Sequence, residues 1–249
     1  MKKLIFLGLL SFLLAAIWLT PLAFVAPHLK KVANNVTMQE PNGTIWNGEV
    51  KHLTVNNNYL GKVNWQVNVL ESIKSLSLKT KFNLNSSDIN AYGVAGIDLS
   101  KNLMLNDTKF DINASYLNNL QKNAELSGSF NGFVNHAHIV KNKVPKIDGI
   151  INWQNGALNK PIKLAEGDYR AVIKPENDNL DIKLSSKEAP IELNGDIKLQ
   201  NDWTFATNLI TKSDNLGLSA MMKFAGKAQT DGSIAIKQTG DLKPFIGLN

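Results

Sequence analysis

Two hydrophobic patterns divide this chain. The first is an unbroken apolar run, Leu4 to Ala26 (LIFLGLLSFLLAAIWLTPLAFVA), with 23 residues and no charge. It predicts a helix. The second begins near Gly43 and has period two, the signature of strands with one apolar and one wet face. Val63, Trp65, Val67 and Val69 alternate with Asn64, Gln66 and Asn68. Leu76, Leu78, Thr80, Phe82 and Leu84 alternate with Ser77, Lys79, Lys81 and Asn83. Phe110/Ile112, Leu180/Ile182/Leu184, Ile191/Leu193/Ile197/Leu199, Trp203/Phe205/Leu209, Leu218/Ala220/Met222/Phe224 and Ile234/Ile236 read the same way. Clusters of Asn, Asp, Gly and Ser between these runs supply turns. Two stretches depart from the pattern. Ser115 to Leu126, which lacks Gly and Pro, reads as a short helix or turn, and so does Leu70–Ile73.

Strict alternation points to an antiparallel, meandering sheet. About ten to twelve such strands create one large apolar surface, and proteins rarely leave more than a few hundred Å² of contiguous apolar patch exposed. The sheet is therefore expected to curl on itself, pack against a second sheet, or hold an apolar ligand. A strongly curved sheet, half barrel and half trough, satisfies the pattern most simply. The predicted fold class is all-β, with one N-terminal transmembrane helix.

At ~1.5 Å of rise per residue the apolar run reaches roughly 34 Å, enough for a hydrocarbon core of about 30 Å. Lys2 and Lys3 precede it; Lys30 and Lys31 follow it. A cleaved signal peptide fits less well. Its apolar region is usually ~7–15 residues. The positions before Ala26 and Ala16 that should be small hold Phe24 and Leu14. The flanking lysines nearly balance, so charge alone does not orient the span. The chain has no cysteine, which suits an oxidising compartment. The expected arrangement is a cytoplasmic tail at 1–3, a span at 4–26, a connector at 27–42 and a periplasmic β domain at 43–249.

The formal net charge is +6, but the lysines are scattered and no basic run carries interleaved aromatics. That argues against a nucleic-acid groove. Asn-X-Ser/Thr sequons at Asn35, Asn42, Asn85, Asn106 and Asn113 are what an Asn-rich chain produces by chance. Of the histidines only His136 and His138 are spaced to share a strand face. A metal site needs three or four ligands, and nothing nearby completes one. Asp107 and Asp111, and Glu166 and Asp168, pair carboxylates in turn-like surroundings that favour local backbone bonds over acid–base work. No nucleophile elbow or phosphate-cradling loop occurs. No catalytic residue, cofactor or metal is assigned.

Two segments resemble each other. Gly43-Thr-Ile-Trp46-Asn-Gly48 is followed by Leu60-Gly61-Lys-Val-Asn-Trp65-Gln-Val67. Gly149-Ile-Ile-Asn-Trp153-Gln-Asn-Gly156 is followed by Glu166-Gly167-Asp-Tyr169-Arg-Ala-Val172. Each runs from a glycine through a Trp-bearing strand to a second glycine that permits a turn or bulge. The reading is of two related halves, 43–145 and 146–249. Trp46, Trp65, Trp153 and Trp203 read as core anchors in preference to a ligand platform, each burying ~150–250 Å².

The anchor, these two segments, Gly128-Ser-Phe-Asn-Gly132, Leu193-Asn-Gly195-Asp-Ile197 and the closing Gly240-Asp-Leu242 together resemble the type II secretion system protein N family over nearly the whole chain. The resemblance implies a non-enzymatic, inner-membrane accessory of the machine that exports folded proteins across the outer membrane. Its implied partners are the inner-membrane platform, the secretin or the pseudopilus. The chain is also distantly similar to AsmA-like anchored β proteins. That likeness implies an alternative, a lipid-binding or lipid-transfer module using the apolar concave face.

Overall fold

The computed structural model describes residues 2–32, 35–120, 124–160 and 163–246. The apolar run forms two helices, α1 (Lys2–Trp18) and α2 (Leu22–Val32), where one continuous helix was expected over 4–26. The break has a physical cause. Pro21 has no N–H to give a preceding turn, and its ring crowds the carbonyl four residues back. The chain bends there into an isolated bridge between Pro21 and Thr44. The 17 residues of α1 rise about 25 Å. No helix among the described residues is long and apolar enough to cross a membrane.

After α2 come β1 (Val36–Gly43), β2 (Asn47–Val55), β3 (Asn58–Val67), α3 (Val69–Ser75), β4 (Ser77–Asn85), β5 (Ile89–Asp98) and β6 (Leu103–Asn113). Then follow α4 (Ala114–Leu120), β7 (Glu125–Ile139), β8 (Lys146–Lys160), β9 (Leu164–Glu176), β10 (Asn179–Lys187) and β11 (Glu192–Leu199). The chain continues through β12 (Thr204–Lys212), α5 (Leu216–Ala225), β13 (Lys227–Ala228), β14 (Ile234–Asp241) and α6 (Lys243–Ile246). The fold is mainly β. Its fourteen strands run in chain order from β1 to β12, then β14 and β13, and the order does not close. The stretch expected as a connector, 27–42, holds the end of α2 and most of β1.

The helix near Leu70–Ile73 is present as α3. The one expected from Ser115 is shorter, since α4 stops at Leu120 and Leu126 already lies in β7. One expected strand is a helix. Leu218, Ala220, Met222 and Phe224 lie in α5, where Asn215 caps the first turn and Gly226 follows the last. The segment is so rich in apolar residues that it satisfies both periods. Its Leu, Ala, Met and Lys content and its Asn cap favour the helix.

The chain divides into two compact units, Met1–Tyr92 and Gly93–Asn249. In the first, β1 to β4 pair as successive antiparallel hairpins. β1 stands at the edge of the strand order, which accommodates Pro41. Glu40 beside it takes a positive φ of 51°. In the second unit, β6 to β12 and β14 continue the antiparallel pattern, and β13 adds only two residues to β14. Its core gathers Val144, Ile173, Leu180 and Leu199, packed by Ile151, Ile182, Trp203, Phe205 and Leu242.

Candidate functional site

Two features of the first unit hold its N-terminal helices. Trp46 sits in the turn between β1 and β2, between Gly43 and Gly48. Its indole Nε1–H donates to the carbonyl of Ile17 at 3.0 Å, and its ring stacks on Trp18 with centroids 5.8 Å apart. The Ile45 N–H reaches the Thr20 carbonyl at 3.4 Å. Trp65, on β3, donates from Nε1 to the Ile45 carbonyl at 3.0 Å. Gly48 pairs with Trp65 across the hairpin, and a Cβ there would lie 2.5 Å from the Trp65 ring. Only glycine allows that approach. Gly61 lies further along β3, toward its start.

The second unit builds its own clasp. Trp153, on β8, donates from Nε1 to the Ser127 carbonyl at 2.9 Å. Its ring stacks on Phe130 at 5.2 Å and leans on Tyr169 at 5.5 Å. Gly149 and Gly156 are on the same strand, with Gly156 against the Trp153 ring; Gly167 and Tyr169 are on β9. Asp168 accepts the Asn155 N–H at 2.9 Å where the β8–β9 register shifts. Burial pushes the Tyr169 phenol above its ordinary pKa. Trp203 donates to the Asn142 carbonyl at 3.4 Å. Each of these four indoles therefore has its N–H on a backbone carbonyl, which suits a structural anchor.

One face of the second unit is apolar across six strands. Ile151, Ala171, Leu184, Gly195, Leu209 and Ile236 stand in one cross-strand row, and all are half-buried. Ile173, Ile182 and Ile197 form the next row. Gly195 has φ 149°, and a Cβ there would strike the Asn208 carbonyl oxygen. Gly240 lies under the Phe205 ring. Toward Leu180 and Leu199 the face is covered by Trp203, Phe205 and Leu242. The opposite face exposes Arg170, Ser185, Asn194, Asn208 and Lys237 among a few apolar residues such as Val172 and Ile210.

The sequence-derived candidates for chemistry do not converge. His136 Nδ1 lies 2.8 Å from Asn106 Oδ1, while His138 Nε2 is 3.4 Å from Asp98. Asp98 is held below the ordinary carboxylate range chiefly by the Asn102 backbone N–H, then by the Asn102 side chain, with a smaller contribution from His138. Asp107 and Asp111 lie within β6. Among the described residues no three His, Cys, Asp or Glu side chains gather as a metal site. The carbonyl partners of the indoles, at Ile17, Ile45, Ser127 and Asn142, have no sequence signature, because any residue supplies that acceptor.

A family model for the type II secretion system (T2SS), protein N, matches residues 34–237. No curated protein matches. No solved structure matches.

Proposed function

Because this chain belongs to the type II secretion system protein N family, we propose that it anchors in the inner membrane through its N-terminal apolar segment. Proteins of the family are non-catalytic accessories of type II secretion, generally associated with the inner membrane. In our reading the strands from β1 onward lie in the periplasm and work by protein–protein contact with the inner-membrane platform, the secretin or the pseudopilus. The family match over residues 34–237 carries this reading. The uncharged stretch of α1 from Leu4 to Trp18, with Phe6, Leu7, Leu9 and Phe12 exposed, supports the anchoring part of it. Deleting the gene in its native host should reduce export of the pathway's substrates. Wild-type export, with every other component at its usual level, would remove the proposal.

The half-covered row from Ile151 to Ile236 favours a second reading, in which that face takes up an acyl chain as in the AsmA-like alternative. Native mass spectrometry of the purified chain would show a lipid adduct, and an adduct-free spectrum would end the idea.

A further inference from the structure

α3 is built the wrong way round for water. A helix over a sheet normally packs its apolar stripe inward and turns its polar face out. Here none of its residues is buried. Polar atoms hold it to the sheet. Ser72 Oγ accepts the Lys79 N–H at 2.9 Å and the Asn68 N–H donates to the Lys79 carbonyl at 2.8 Å, while Asn68 Oδ1 caps the helix by accepting the Glu71 N–H at 3.2 Å. The apolar side chains point outward, with Leu70, Ile73 and Leu76 being 72%, 68% and 65% exposed. Leu76 closes the helix in the left-handed region, its N–H on the Ile73 carbonyl.

The location of α3 gives this face its meaning. β3 ends at Val67, whose N–H bonds the Trp46 carbonyl at 2.7 Å, and α3 starts two residues later. Trp46 is the residue that bonds Ile17 and stacks on Trp18 at the end of α1. The exposed apolar helix and the end of the exposed apolar α1 therefore share one end of the unit. Within α3 Lys74 pairs with Glu71 at 3.8 Å, and Lys79 and Lys81 on the adjoining β4 leave the surroundings net positive. Apolar residues rimmed by lysine fit the head-group region of an anionic bilayer.

We propose that α3 is a second lipid-contacting element. Its Leu70, Ile73 and Leu76 insert at the surface of the membrane that holds α1, and so fix the tilt of the β1–β4 sheet above it. This rests on the anchoring reading above. The occupant is a lipid surface, since the face lies beside the chain's own membrane segment and its rim is basic.

The chain has no cysteine, so single labelling sites are clean. Full-length protein carrying Ile73→Cys, Phe12→Cys or Ser87→Cys is labelled with bimane. Each is reconstituted in vesicles of phosphatidylethanolamine and phosphatidylglycerol at equal parts. Ser87 is exposed in the turn that follows β4, at the opposite end of that strand from α3, and reports water. The expected result at Ile73 is loss of quenching by aqueous iodide and gain of quenching by nitroxide on the lipid. Leu70→Cys repeats the measurement if Ile73→Cys perturbs folding. Iodide quenching at Ile73 equal to that at Ser87, with Phe12 shielded in lipid, overturns the proposal and leaves the anchor standing. Water at both Ile73 and Phe12 overturns both. A label at Ile73 shielded from iodide and nitroxide alike overturns the lipid occupant in favour of a protein one.

Discussion

Trp65 and Trp153 are set in similar clasps and serve different ends. Both sit on long strands, both donate an indole N–H to a backbone carbonyl, and both have a glycine against the ring. Around Trp153 the neighbours are aromatic, and the cluster Phe130–Trp153–Tyr169 fastens β7, β8 and β9 to one another. Around Trp65 the chain passes the contact on, through the β1–β2 turn to Trp46, and from Trp46 to Ile17 and Trp18. One clasp ties a sheet together. The other ties a sheet to the segment that precedes it. The same Gly–Trp chemistry is structural in one unit and articulating in the other.

Four substitutions test that contrast. The largest effect is expected from Trp153→Ala, which empties a stacked cluster and leaves the Ser127 carbonyl without its donor. It should cost about 3 kcal/mol, read as a lower guanidinium midpoint for the second unit. Gly48→Ala follows. Its Cβ has no room beneath Trp65, and overpacking of this kind costs ~1–3 kcal/mol, read from unfolding of the first unit. Trp46→Phe keeps a ring on Trp18 and removes the hydrogen bond to Ile17. A loss of about 1 kcal/mol should appear as faster hydrogen exchange and proteolysis near 17–21, with the sheet's midpoint unchanged. If the midpoint falls instead, the clasp is not separate from the sheet. The smallest effect concerns Asp98. Its carboxyl is held below its ordinary value of 3.8, so its contribution is present above that pH and lost as pH falls through the folded value. Asp98→Asn should flatten the acid limb of a stability–pH curve by lowering the neutral plateau slightly, with the two proteins converging at low pH.

Much of the sheet was legible because its strands keep one face dry. The rows through Ile182 and Leu184 follow directly from alternation, and the register only fixes which residues meet. Three places were not fully legible. α5 contains apolar residues at both helical and strand spacing, so periodicity could not separate the states; the Asn215 cap and Gly226 were the usable signals. Pro21 marks a kink within the apolar run, and the structure goes further, ending α1 at Trp18 and restarting at Leu22. A missing N–H is legible in sequence, but whether it bends or ends a helix depends on what the neighbouring turns bond. The inverted face of α3 was hidden for a third reason. Polar side chains that bond a sheet look, in sequence, like polar side chains that face water.

The outer rim of β1 has its own consequence. At Pro41 the ring nitrogen carries no hydrogen, and at Glu40 the backbone twists through a positive φ. An incoming strand from a sister molecule meets a gap and a kink side by side, so its ladder cannot propagate. That margin resists the addition of a further strand by its own backbone geometry.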